Sequence, residues 1–187
     1  MRWSFRVLAA GSLAALGGCG GVIVNAPIHN PSYVMGDEDY ASRNGAIRVE
    51  VAGDMLGVPR DEFATRVVSE MRAGYYRKDK TMFSAQPSQE TDPRYKIVMM
   101  FSPATPVSPN DLCLGSNLQT SARQAGDSLT LLASFCSGTL AISEVRGTVG
   151  QVAGIQDPNF SRLVREVIWY LFPRYDNRRD GGGTVVP

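Results

Sequence analysis

The alternation of apolar and polar positions along the chain predicts most of its elements. Over residues 46–52, Ile47, Val49 and Val51 alternate with Arg48 and Glu50, the two-residue period of a strand with one buried face. Residues 95–101 follow another rule, because every position from Ile97 to Phe101 is apolar, which predicts a central strand covered on both sides. Residues 81–84 read as a short edge strand before a polar loop over 85–93. Residues 128–135 and 139–145 flank Ser137-Gly138, the signature of a hairpin. A two-residue turn there sets Cys136 opposite Thr139, Phe135 opposite Leu140, Ala133 opposite Ile142 and Leu131 opposite Glu144. One face then carries Phe135, Ala133, Leu140 and Ile142, and the other the smaller, more polar Cys136, Ser134, Ala141 and Ser143.

Two stretches carry the helical period. Pro59 opens a helix over 59–73, with Asp61 and Glu62 in the first turn, an apolar stripe of Phe63, Ala64, Val67, Val68 and Met71, and Gly74 at the C′ position. In the second, Asp157 serves as N-cap and Pro158 as the first helical residue. Phe160, Leu163, Val164, Val167, Ile168 and Leu171 form its stripe, and Pro173 stops it. The resulting order, β-α-(β)-β-β-β-α, predicts an α+β two-layer sandwich: a mixed or antiparallel sheet with two helices on one face, one domain over 46–173. Residues 102–127 form the longest irregular stretch, with Cys113 in its middle, and 174–187 read as a flexible tail. The glycines at 147, 150 and 154 lack any phosphate-loop or dinucleotide pattern and read as a turn or a strand continuation.

The first nineteen residues are patterned differently. Arg2 and Arg6 precede an apolar run from Val7 to Leu16, too short to span a bilayer, and the run ends in Leu16-Gly17-Gly18-Cys19. This resembles the signal peptide and lipobox of bacterial outer-membrane lipoproteins. The resemblance implies cleavage of residues 1–18, a diacylglycerol thioether on Cys19 and acylation of the new amino terminus, palmitate being the usual kind of chain. Two or more acyl chains, at about 0.8 kcal/mol per buried methylene, hold a protein stably. Gly20 stands where an inner-membrane retention signal would have Asp, which implies an outer-membrane anchor facing the periplasm. An ordinary secretory cut near Ala14 or Ala15 is the alternative. Residues 19–45, with Pro27, Pro31 and the acidic Asp37-Glu38-Asp39, read as a lipidated tether able to extend about 80 Å. The acidic patch reads as a solvated face, as does the basic and aromatic run of Arg72, Tyr75, Tyr76, Arg77, Lys78 and Lys80.

Removing the leader from 187 residues leaves 169, and its two arginines leave seventeen basic residues against eighteen acidic ones. That balance carries no nucleic-acid footprint. Three cysteines are odd in number, and a lipidated Cys19 restores parity. Cys113 and Cys136 are then expected to pair in an oxidising periplasm, closing a loop of about 24 residues and stabilising by about 3 kcal/mol. Such a bond draws the 102–127 loop across the face opposite the helices.

The chain has one histidine, His29, in the expected tether, so no histidine-based catalytic or metal site is expected in the folded region, and no cofactor. No Ser-x-x-Lys motif is present either. From Ile47 to Phe101 the order of elements is similar to that of outer-membrane lipoproteins that activate peptidoglycan synthases and of the curli-secretion lipoprotein. The function expected is non-catalytic: a lipid-anchored envelope accessory or scaffold that binds a protein partner through its disulfide-pinned loop and tether. A periplasmic binding module for a small hydrophobic or glycan ligand is the alternative, and a hydrolase built on two carboxylates a third. Because the lipobox lies outside the expected domain, Cys19→Ala is expected to release or mislocalise the protein without unfolding it. Membrane fractionation together with circular dichroism of the released protein checks this.

Overall fold

The structure, a computed structural model, describes residues 21–172 apart from positions 35, 54, 56, 78–82, 87–90 and 117. Cys19, Pro173 and the 174–187 tail lie outside the described residues, as does the first half of the 81–84 strand. The elements in chain order are β1 (Ile23–Val24), β2 (Ile28–His29), α1 (Asp37–Ala41), β3 (Ala46–Ala52), α2 (Arg60–Gly74), β4 (Phe83–Ser84), β5 (Thr91–Phe101), α3 (Pro109–Leu114), β6 (Leu129–Ser137), β7 (Leu140–Val149) and α4 (Pro158–Leu171). They build the expected α+β fold. Its mixed sheet of seven strands runs β1-β7-β6-β5-β3-β4, with β2 also on β7. β3 is parallel to β4 and β5, whereas β5, β6 and β7 are mutually antiparallel.

α2 and α4 cover one face. Their stripes, including Phe63, Val67, Met71, Phe160, Val164 and Val167, pack on Val49, Ile97, Met99, Phe101, Ala133 and Phe135, all but fully buried. Two glycines permit this layer to close. A Cβ at Gly147 would lie 2.7 Å from Val167 Cγ2, so α4 rests directly on the β7 backbone. A Cβ at Gly74 would lie 2.5 Å from Arg165 Cα, so α2 and α4 meet backbone to backbone there. The expected role of Gly74 as a terminator is therefore replaced by a packing role: it is the last helical residue, and the cap follows at Tyr75. Glu70, 2% exposed, accepts from Arg66 at 2.7 Å and from Arg165 at 2.6 Å, tying the two helices by charge.

The other face is covered by the stretch expected to be an irregular loop. It contains α3, whose start is capped by Ser108 Oγ accepting from Asp111 N at 3.1 Å and whose end turns on Gly115 at φ +74°. Cys113 and Cys136 are disulfide-bonded with Cα atoms 5.7 Å apart, and Leu112 joins Val98, Met100 and Leu132 in a second small core. Helix formation here is a local consequence of Ser108-Pro109 followed by an apolar pair.

The hairpin turn differs from expectation by one residue. Gly138, at φ +61°, takes the first central position, so the turn is Gly138-Thr139 and Ser137 pairs with Leu140. A bulge between Phe135 and Cys136 shifts the register again, placing Phe135 opposite Ser143, Ala133 opposite Val145 and Leu131 opposite Gly147. Leu140 is consequently 39% exposed, while Cys136 keeps its expected place on the face away from α2 and α4.

The segment expected to be a tether is built into the fold. β1 and β2 add antiparallel to the β7 edge, Ile23 opposite Thr148 and Ile28 opposite Glu144. The acidic patch is not a solvated face: Glu38, 1% exposed, accepts from Tyr33 at 2.9 Å and from Tyr76 at 3.3 Å, and Asp39 pairs with Arg77 at 2.6 Å. The acidic and aromatic-basic stretches therefore bind each other. Burial and the Glu38 charge hold the Tyr33 hydroxyl far above the usual phenol range, so it remains a donor.

Reduction of Cys113–Cys136 is expected to cost a few kcal/mol and to release α3 and its loop before α2 and α4, which share no contact with the bond. Hydrogen exchange of oxidised against reduced protein checks the order. Loss of α4 protection with α3 unchanged would refute it.

Candidate interaction face

The disulfide-covered side of the sheet holds the unusual polar chemistry of the molecule. At the β7 edge, Asn110 Oδ1 accepts from Ala141 N at 3.0 Å and pins α3 to the strand. Beside this clamp, between β2, β7 and residues 107–109, lies a cavity of about 220 Å³ lined by Ile28, Val107, Pro109, Leu132, Glu144 and Arg146 among others. Glu144 Oε2 is inaccessible and has no hydrogen-bond partner, and the same holds for Ser134 Oγ on the directly paired position of β6. Burial pushes the Glu144 carboxyl above its ordinary range, and the nearby Arg146 guanidinium offsets part of that shift. Glu144 is the one carboxylate lining this cavity.

His29 lies in the fold rather than in a tether. Its Nδ1 is 3.1 Å from Ser143 Oγ, which in turn donates to the Leu171 carbonyl at 2.6 Å. Ser143 therefore accepts from His29, whose proton sits on Nδ1, and the pair ties the N-terminal segment to the end of α4. Ser143 is 1% exposed and its proton is committed to a main-chain oxygen, the reverse of an activated nucleophile. Burial lowers the His29 pKa.

His29 and Ser143 face α4, whereas the disulfide side presents exposed apolar side chains: Ile23 at 69%, Ile28 at 63% and Leu114 at 56%. Larger, open depressions of 440–470 Å³ lie on the solvent side of α2 and α4 among charged side chains such as Arg162, Arg165 and Glu166. Among the described residues no three metal-ligating side chains cluster, and no helix is long and apolar enough to cross a membrane. Of the sequence-predicted sites, Cys113 and Cys136 are brought together. Glu144 and Ser134 escaped notice, since a carboxylate in a strand signals exposure until its neighbours are known.

The sequence matches no family model and no curated protein sequence. Among solved structures it is similar to the PelC dodecamer from Paraburkholderia phytofirmans, at 13% identity and a TM-score of 0.45 over 83% of this chain and 100% of that one. A point variant of the same PelC dodecamer gives 12% identity and a TM-score of 0.41 over the same shares.

The unpaired Glu144 oxygen has a consequence for pH. A carboxyl whose folded pKa is raised favours the folded state when protonated, so its contribution falls as pH rises from the unfolded value, about 4.3, through the folded one. Glu144→Gln removes that loss. The variant is expected to match wild type near pH 4 and to exceed it at pH 7 by about 1 kcal/mol, a figure that allows for solvent screening of a half-exposed group. Thermal melts of both proteins across this range check it.

Proposed function

We propose that this chain is a lipoprotein anchored through Cys19 at the periplasmic face of the outer membrane, and that it acts without catalysis as an accessory or scaffold binding an envelope protein. The observation that carries the reading is the α3 clamp. A capped helix is locked by a disulfide and by the Asn110–Ala141 bond, yet it presents Leu114 to solvent at 56%. An apolar side chain held rigid and uncovered suits a partner surface, because little conformational freedom is lost when it docks. Leu140, 39% exposed, stands at the hairpin end of the strand that α3 contacts most.

A ligand-binding module is the second reading, and the orphaned Glu144 carboxylate favours it. At about 220 Å³ the cavity is smaller than the 300–1,000 Å³ or so common for small-molecule sites, which places the partner reading first.

The test is cross-linking of the lipidated protein in native envelopes, followed by mass spectrometry, for wild type and Leu114→Asp. A partner cross-linked near α3 and lost at least about tenfold in the variant is expected. Recovery of the same partners from both proteins would overturn the reading. A second copy of the chain as the cross-linked species would identify the partner surface as a self-association surface.

A further inference from the structure

We infer that the β1 corner of the sheet rests on the bilayer, with Ile23 and Ile28 seated in the headgroup region. This rests on the reading that Cys19 is acylated. Three residues lie between Cys19 and Ile23, so four chain steps span at most about 14 Å even if fully extended, in place of the 80 Å or so of a free tether. β1 is not a loose extension, since Ile23 and Val24 pair with Thr148 and Gly147 on β7 and Val24 packs against the main core. The lipid therefore holds one particular corner of the domain at the membrane.

That corner has the chemistry of an interfacial surface. Ile23 and Ile28 stand opposite Thr148 and Glu144, positions of one parity on β7, so both project on the same face, about 14 Å apart along the strand. They are the two most exposed large apolar side chains among the described residues. Arg146 lies between those positions on the same face and is exposed, as a cation facing lipid phosphates should be. Glu144, the charge of unfavourable sign, has its Oε2 turned out of reach of solvent. The hairpin turn and Leu140 lie eight residues along β7 from Thr148, about 27 Å from the lipid-facing end, whereas the start of α3 lies beside Ile28, with Pro109 lining the same cavity.

The native chain suits a direct test, because lipidation and the disulfide occupy all three cysteines and an introduced thiol is the sole reactive one. Lipidated Ile23→Cys, Ile28→Cys and Leu114→Cys, each labelled with an environment-sensitive fluorophore, are reconstituted into vesicles of phosphatidylethanolamine and phosphatidylglycerol containing a shallow spin-labelled lipid. Quenching at positions 23 and 28 is expected to exceed that at 114 by about threefold or more, with a blue-shifted emission. Equal, weak quenching at all three sites would overturn the inference, as would quenching at 114 alone. The mass of the N-terminal peptide is measured on the same samples. An unacylated Cys19 would overturn the anchoring itself, whereas acylation without quenching at 23 and 28 would overturn only the docking.

Discussion

A sheet whose central strand is apolar on both faces cannot be satisfied by one layer of helices. From Ile97 to Phe101, β5 sends Ile97, Met99 and Phe101 toward α2 and α4 but Val98 and Met100 the other way. The second set needs a cover, and among the described residues the short helix α3 supplies it. Six residues of α3 bury too little on their own to hold that position against the entropy of a long loop, so the covalent bond from Cys113 to Cys136 and the Asn110 clamp complete the cover. The disulfide is thus the counterpart of the helix layer.

The same economy governs the β7 edge. An uncovered edge strand invites pairing with another chain, and here the N-terminal segment takes the place of that other chain through β1 and β2. Side-chain ties reinforce it: His29 with Ser143, and the buried Glu38 with Tyr33 and Tyr76. Docking the segment fixes Ile23 and Ile28 against β7, where a free leash would leave them unplaced. The polar groups left over, Glu144 and Ser134, sit where the docked segment, the hairpin and the disulfide-bound loop converge.

Sequence and structure agree where burial is periodic. The β3 alternation, the continuous run in β5, and the Asp157-Pro158 start and apolar stripe of α4 state which side chains must leave water, and a local rule of two or 3.6 residues converts that into an element. The pairing of Cys113 with Cys136 was legible too, because parity left few choices. The hairpin was legible as a hairpin but not in its register. A turn at 137–138 and one at 138–139 both contain Gly138, and the choice fell to Gly138 adopting positive φ at the first central position and to a bulge that no local pattern marks.

By itself, the sequence determined the α+β class, the two-sided burial of the centre and the candidate cysteine pair, since each follows from chain-local pattern or cysteine count. Only the tertiary structure decided that β1, β2 and α1 belong to the fold, that the acidic patch meets Tyr76 and Arg77, and that one oxygen of Glu144 loses its solvent. Those outcomes depend on contacts between segments distant in the chain. A short polar stretch reads alike whether it is solvated or paired, because the energy that separates the two states resides in the partner.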